Sequence, residues 1–508
     1  MNTQLYSIAQ IRAIEHAAQA GLPPGTLMRR AGAASAARAL DLLKGRPVAD
    51  LSLPVMVLAG PGNNGGDALE AAVHLSEAGW TVEVVHLAGS APSPETQAAL
   101  ERARGAGLRF IDAIAAGAQY ALVVDGLFGI GLTRPLTGQA RQLAEQVNIM
   151  RGPVLALDVP SGLDADTGAI VGPNGVAVAA THTITFLGDK PGLHTGDGCD
   201  YAGRVSVDLL DVALREAGQV WCNTPALFSA CLAPRRRNSH KGSFGDVAVL
   251  GGAPGMLGAG LLAARGALFG GAGRVFLAAL DAALGVDPLQ PEIMLRDALG
   301  FAFERRTVVA GPGLGDASQA MRLLGKVIDG SGPLLLDADG LNLVAASPDL
   351  QARLAHHDGP VVLTPHPLEA ARLLGVTAAI VQADRLENAR ELAQRLNAVV
   401  VLKGAGSVIA RQDGEVAINP TGNPGLATGG SGDVLAGVCG ALLGQGWPAW
   451  EAALGAVWLH GAAADMLVAD GAGPIGLTAG ELPRAIRAEL NRLVAATPVA
   501  AGRTGETE

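Results

Sequence analysis

Four stretches carry residue types that could act on a phosphate-bearing molecule. In NPTGNPGLATGGSGDVLAG, residues 419–437, glycines and small side chains run into a helix expected to begin near Ser431. Adjacent N–H groups at Gly430, Ser431 and Gly432 would form an anion hole, with Asp433 in the first helical turn. A carboxylate beside a phosphate is unfavourable unless it has a task, and in phosphoryl transfer that task is to take the proton of an attacking hydroxyl. The plain alternative is an Asp that merely favours a helix amino end. In LAGPGNNGGDAL a glycine-rich loop separates a strand from a helix, the usual seat of a nucleotide phosphate. Its Asn63, Asn64 and Asp67 exceed what a tight turn needs, although Asn and Asp also hold turns through their own backbone. VVDGLFGIGLTRP adds Asp125 and a second glycine loop ending at Arg134 and Pro135, and LALDVPSGLDADTG adds Asp158, Ser161 and Asp164. Any one of these acids could equally cap a helix or bridge a turn.

The elements that must position them are legible as an alternation. Ser7 would cap a helix bearing Ile8, Ile11 and Ile14, and a second helix is expected from Thr26 to about Leu43. Short apolar runs at 54–59, 82–87, 121–124, 154–157 and 183–187 read as strands, with helical stretches at 68–78 and 139–150. The pattern restarts after Arg235, with strands at 247–250, 275–277, 308–310, 334–336, 361–363 and 399–402 and helices at 259–269, 317–328 and 385–396. Strand and helix in repetition mean α/β architecture, two doubly wound parallel sheets. The carboxyl ends of the strands form the ligand crevice, so the first-half clusters would converge. The irregular stretch 213–238 places the boundary near residue 228, giving domains 1–227 and 228–495 and a mobile tail 496–508.

Composition agrees with this architecture and excludes others. At about 150 residues per domain, 508 residues suit two to four domains. A formal charge of −10 would repel a nucleic-acid backbone, and the triplet Arg235–Arg237 is too short to compensate. Four cysteines without CxxC spacing point to free thiols in a cytoplasmic protein and away from zinc. The amino terminus lacks a basic stretch followed by an apolar core, so neither export nor a membrane is expected.

The first half resembles the YjeF N-terminal domain, the NAD(P)HX epimerase family, through PGNNGGD, VDGLFGIGLTR and DVPSGLD in that order. The resemblance covers about residues 5–225. It implies that Asn63, Asn64, Gly65, Gly66 and Asp67, with Gly129, Ile130, Gly131, Leu132, Thr133, Arg134 and Pro135, bind the damaged nucleotide. It also implies a potassium ion at Asn64, Asp125 and Ser161, and substrate contact at Asp158. Ala68 stands where the family usually has glycine, which a negative φ would tolerate. Exchanging the R and S forms at carbon 6 of the hydrated nicotinamide ring needs proton transfer, and Asp158 is the candidate base. Lys190, before Pro-Gly, reads as a solvated loop residue or as a stabiliser of negative charge.

The second half resembles the ribokinase-like superfamily, and more closely the YjeF C-terminal domain, the ADP-dependent NAD(P)HX dehydratase. The resemblance rests on SHKGSFGDVAVLGGAPGMLGA, VAGPGLG, LDADGLN, LTPHPLE, VLKGAGSVI and NPGLATGGSGD, over about 238–490. It implies nucleotide contacts at Lys403, Gly404, Ala405, Gly406, Ser407 and Gly432, and contacts to the damaged cofactor at Ala259, Gly313, Gly315, His366 and Asp433. Magnesium is expected with the ADP, and Asp337 and Asp339 read either as its ligands or as a strand end and N-cap. The expected partners are NADHX, NADPHX, ADP and further copies of the chain. Two rivals stand beside this expectation: a vitamin-precursor kinase fused to a nucleotide-binding domain, and a non-catalytic first half.

Overall fold

The computed structural model describes residues 4–44, 52–89, 92–214, 218–281 and 285–497. The expected tail lies outside the described residues from 498 onward. The chain divides into two compact units, Met1–Trp221 and Cys222–Glu508.

The strands of the first unit are β1 (Gln4–Leu5), β2 (Val55–Ala59), β3 (Val82–His86), β4 (Arg109–Phe110), β5 (Leu122–Gly126), β6 (Val154–Leu157), β7 (His182–Phe186) and β8 (Arg204–Asp208). A parallel sheet runs in the order β4-β3-β2-β5-β6-β7-β8. Gln4 and Leu5 pair antiparallel with Trp221 and Val220 of β9 (Val220–Cys222). Successive strand side chains point to opposite faces, so β2 feeds two cores. Val55, Val57 and Ala59 pack with helices Thr26–Lys44, Asn63–Glu77 and Pro94–Gly105, whereas Met56 and Leu58 pack with helix Gly138–Asn148. Ser7 caps helix Ile8–Gln19 in a capping box with Gln10, as its spacing predicts.

The strands of the second unit are β10 (Asp246–Gly251), β11 (Arg274–Ala279), β12 (Met294–Asp297), β13 (Thr307–Ala310), β14 (Leu334–Leu336), β15 (Val361–Leu363), β16 (Val399–Leu402), β17 (Val408–Ala410) and β18 (Val416–Ile418). They follow the order β18-β17-β16-β15-β14-β13-β10-β11-β12, parallel from β16 to β12 with an antiparallel extension at β17 and β18. Helices Leu257–Phe269 and Ser431–Gly444 pack backbone to backbone. A Cβ at Gly437 would overlap the Ala263 carbonyl, so only glycine allows that approach. Helix Ala449–Ala469 is long and apolar enough to cross a membrane, but 61% of its apolar window is buried inside the protein, the state of a core helix. Arg235 stacks on Phe244 and donates to the Gly271 carbonyl at 2.6 Å, a structural role for the first member of the arginine triplet.

Each sheet reverses direction once, between β2 and β5 and between β10 and β13. At such a switch point the following loops part and leave a crevice. The loops touch at its base: a Cβ on Gly60 would overlap Leu127 O, and Ala253 N donates to Gly313 O at 2.7 Å.

Candidate active sites

The first-unit crevice is a cavity of about 730 Å³. The NNGGD segment enters it as the first turns of a helix that starts at Asn63, not as a loop before a helix near Ala68. Gly62 caps that helix without a side-chain hydrogen bond, so the amino-terminal N–H groups remain for a ligand. Close packing fixes the turn, since a methyl on Gly65 would overlap the Gly60 backbone. Ala68 is fully buried, and its methyl occupies the space a Cβ at Gly126 would need.

Asn63, Asn64, Asp67, Gly129, Ile130, Gly131, Leu132 and Asp158 line this cavity. Thr133, Arg134 and Pro135 are exposed and lie outside its lining, and the Pro135 ring sits against Gly172. Asp158 holds a left-handed φ of 66°, a conformation Asp tolerates better than most residues. Its carboxylate accepts from the Ile130 N–H at 3.3 Å and pairs with Lys190 Nζ at 2.9 Å. Lys190 is fully buried and also donates to Thr185 Oγ1 at 2.5 Å and to the Phe186 and Gly188 carbonyls at 3.1 Å each. It is therefore not a solvated loop lysine: a buried ammonium needs a counter-ion and filled hydrogen bonds, and Asp158 with three oxygens supplies them.

Two further acids share the space. Burial, then Asp158 and Glu15, pushes the Asp67 carboxyl well above the usual carboxylate range. Glu15 is raised by burial and by Asp158, with Arg12 opposing, and accepts from Gln19 Nε2 at 3.2 Å. Behind the glycine loop, buried Asp125 accepts from the Ser161 N–H (2.8 Å) and hydroxyl (2.7 Å), and burial still raises its pKa. Both amide atoms of Asn64 are buried without a hydrogen-bond partner. A Cβ on Gly129 would stand 3.4 Å from the Asn64 Cγ, so this orphaned amide lies beside the glycine loop, and its oxygen is a donor of the kind a hard cation takes. Among the described residues no group of three or more His, Cys, Asp or Glu could hold a metal. Asp164 instead holds a turn, accepting from Asp166 N and Thr167 N.

In the second unit Gly430, at a φ of 92°, caps the helix that begins at Ser431, and Asp433 falls in its first turn. Burial first, then Asp337, raises the Asp433 carboxyl to about 7, against the pull of Lys403. Lys403 Nζ lies 2.6 Å from Asp337 Oδ1 and 4.0 Å from Glu369 Oε2. Burial alone would lower the Lys403 pKa, but Asp337 and Glu369 outweigh it and the net direction is upward. A Cβ at Gly432 would stand 3.3 Å from that amine, which places Lys403 beside the helix amino end. Asp337 also accepts from Thr364 Oγ1 at 2.8 Å and makes no cap hydrogen bond. It thus occupies the N-cap position of helix Ala338–Ala345, as the strand-end reading has it, while its carboxylate serves Lys403 and not the helix N–H groups. Asp339 accepts from the Gly315 N–H at 2.9 Å and so shapes the loop of Gly313 and Gly315, against which Ala259 packs. His366 Nδ1 caps helix Pro367–Leu374, while Glu369 returns a bond to the His366 N–H. Gly404, Ala405, Gly406 and Ser407 form the turn from β16 to β17, closed by the Gly404 N–H donating to Ser407 Oγ at 3.3 Å.

A family model described as YjeF-related protein N-terminus matches residues 24–192, and one described as NAD(P)H-hydrate dehydratase matches 247–487. A bifunctional NAD(P)H-hydrate repair enzyme of Coxiella burnetii is 37% identical over 506 residues, 96% of this chain and 100% of the relative. That of Escherichia coli K12 is 40% identical, covering 82% of this chain and 81% of the relative. The chain belongs to this repair-enzyme family. Among solved structures, the ADP/ATP-dependent NAD(P)H-hydrate dehydratase of Bacillus subtilis, co-crystallised with ATP and Mg2+, is 33% identical with a TM-score of 0.48, covering 54% of this chain and 98% of that one.

Within the repair-enzyme frame, the geometry adds groups that motif reading passes over. Glu15 and Arg12 reach the first cavity from an ordinary helix. Glu369 and buried Arg385, which donates to the Leu402 carbonyl at 3.1 Å, support Lys403. Only Glu369 had a local signal, its capping-box spacing from His366.

Proposed function

We propose that this chain is a bifunctional metabolite repair enzyme. The first unit interconverts the R and S epimers of hydrated NADH and NADPH. The second dehydrates the S form to NAD(P)H with ADP, releasing AMP and phosphate. The observation that carries the proposal is Asp433: a carboxyl raised to about 7 at a glycine-capped helix amino end, beside a lysine held by an acid pair.

Asp433 takes the proton of the hydroxyl on carbon 6 while that oxygen attacks the terminal phosphorus of ADP, and AMP departs. The Gly430–Gly432 N–H groups and Lys403 balance the growing phosphate charge. The ring nitrogen then expels phosphate from carbon 6 as the adjacent carbon loses a proton, and the dihydronicotinamide is restored. Magnesium bound with the diphosphate would offset its negative charge, beside the Gly430–Gly432 N–H groups and Lys403 that face the same phosphate. In the first unit Lys190 keeps Asp158 fixed as the base, and the helix amino end at Asn63 receives the dinucleotide phosphate. Asn64, Asp125 and Ser161 would hold potassium, which supplies fixed positive charge behind the glycine loop. The proposal includes a cytoplasmic setting, with which the four free cysteines agree, and a homo-oligomeric assembly.

The test is to supply hydrated NADH with ADP and follow the return of dihydronicotinamide absorbance. Consumption of both epimers supports both activities. Consumption of S alone removes the epimerase, and turnover only of a hydroxymethylpyrimidine or thiazole alcohol with ATP would favour the kinase rival.

A further inference from the structure

The first cavity holds more acid than one base requires. Glu15 lies on helix Ile8–Gln19, an element outside the glycine loops and strand ends that carry the recognised motifs. The helix is anchored, since Ser7 and Gln10 close its capping box and the Ile8 N–H donates to Asp166 Oδ1 at 2.8 Å. Glu15 is therefore a positioned group, oriented further by Gln19 one turn on. Around it stand Arg12 on its own helix, Asp67 on helix Asn63–Glu77, Glu95 at the edge of the cavity, and Asp158 with Lys190 behind it.

Inversion at carbon 6 requires hydroxyl to leave one face of the ring and return on the other. A single carboxylate serves one face only, so the reaction calls for two proton-transfer groups reaching the ring from different elements. Asp158 is held in place by the buried Lys190 amine at 2.9 Å, which fixes the carboxylate on its own side of the cavity as the base. Asp67 lies on helix Asn63–Glu77, the element whose amino end would receive the phosphate, and burial, then Asp158 and Glu15, raises its carboxyl. Glu15 instead enters the cavity from helix Ile8–Gln19, an element separate from both the phosphate-facing helix and the Asp158 strand end, and burial with Asp158 raises it too.

We infer, on the epimerase function proposed above, that Glu15 is a second catalytic acid–base, working on the face of the nicotinamide ring turned away from Asp158. Protonated Glu15 gives its proton to the departing hydroxyl. The carbon–oxygen bond breaks with its electron pair on oxygen, water forms, and the ring-nitrogen lone pair makes a carbon–nitrogen double bond. Water on the other face adds to carbon 6 and passes its proton to Asp158, while the double-bond pair returns to nitrogen. One proton is given and one taken, and the reverse direction exchanges the two roles.

Glu15→Gln tests this in the full-length chain with pure R-NADHX, with S-form dehydration as the control for folding. The expected result is a fall of about 100-fold or more in epimerisation kcat, with KM changed less than about threefold and dehydration unchanged. Glu15→Asp should recover part of the rate. The wild-type pH profile should be bell-shaped, and the residual activity of Glu15→Gln should lack one limb. Unchanged kcat in Glu15→Gln, or a loss confined to KM, overturns the assignment while leaving the epimerase function standing. The same holds if Asp67→Asn alone stops inversion with KM intact. A wild-type chain that does not interconvert the epimers removes both.

Discussion

Asp433→Asn should make the second unit more stable and far less active. With the carboxyl raised from 3.8 to about 7, ionising it in the folded chain costs up to about 4 kcal/mol more than in the unfolded chain. Partial exposure of the site makes this an upper bound, and roughly 2–4 kcal/mol is the range to expect. The sign follows from a raised folded pKa: below about pH 3.8 the group is protonated in both states and nothing is lost, and the stability falls as pH rises through about 7. Asn removes the ionisation, so at pH 8 the variant should melt roughly 5–10 °C above wild type, with the gap shrinking by pH 5. Dehydration turnover should drop by about 10²–10⁴ because the base is gone. Thermal melts at pH 5 and 8, paired with S-NADHX turnover, check both. Equal or lower melting of the variant at pH 8, or turnover within tenfold of wild type, would refute the reasoning.

Other substitutions separate the two units. Lys190→Met leaves Asp158 without its ammonium and should destabilise the first unit by about 3–5 kcal/mol, abolishing epimerisation while S-form dehydration persists, as read by melts and a stereospecific assay. Replacing potassium by tetramethylammonium should slow wild-type epimerisation and lower its melting temperature, and Asn64→Ala, lacking the orphaned amide, should respond little to the exchange. Lys403→Met strands buried Asp337 and should cost about 3–5 kcal/mol with a higher KM for ADP, epimerase kinetics being unchanged. Gly65→Ala drives a methyl into the Gly60 backbone and should remove epimerase activity from soluble protein that still dehydrates the S form.

The central strands were legible because they are short apolar runs buried on both faces, whereas edge strands β4, β8 and β12 carry exposed or polar residues and give no such run. Ser7 and Ser431 marked their helix starts locally. NNGGD looked like a loop since two glycines weigh against helix, yet the close approach to Gly60 is what demands them. Lys190 read as a loop lysine because its partner Asp158 lies 32 residues away, and the pairing of Lys403 with Asp337, 66 residues away, likewise forms only across the sheet. Glu15 carried no local signal at all, being one acid on an amphipathic helix. Local pattern reports what a segment becomes, whereas charge pairing depends on topology.

The reversal of strand order sets where each crevice opens, and no individual side chain does. The chassis and the working edge are thereby decoupled. Diversifying the loops after β2, β5, β10 and β13 should retarget the catalyst to other oxidised or hydrated dinucleotides while the library remains foldable, whereas equal diversity spent in the strands would be wasted on insoluble clones.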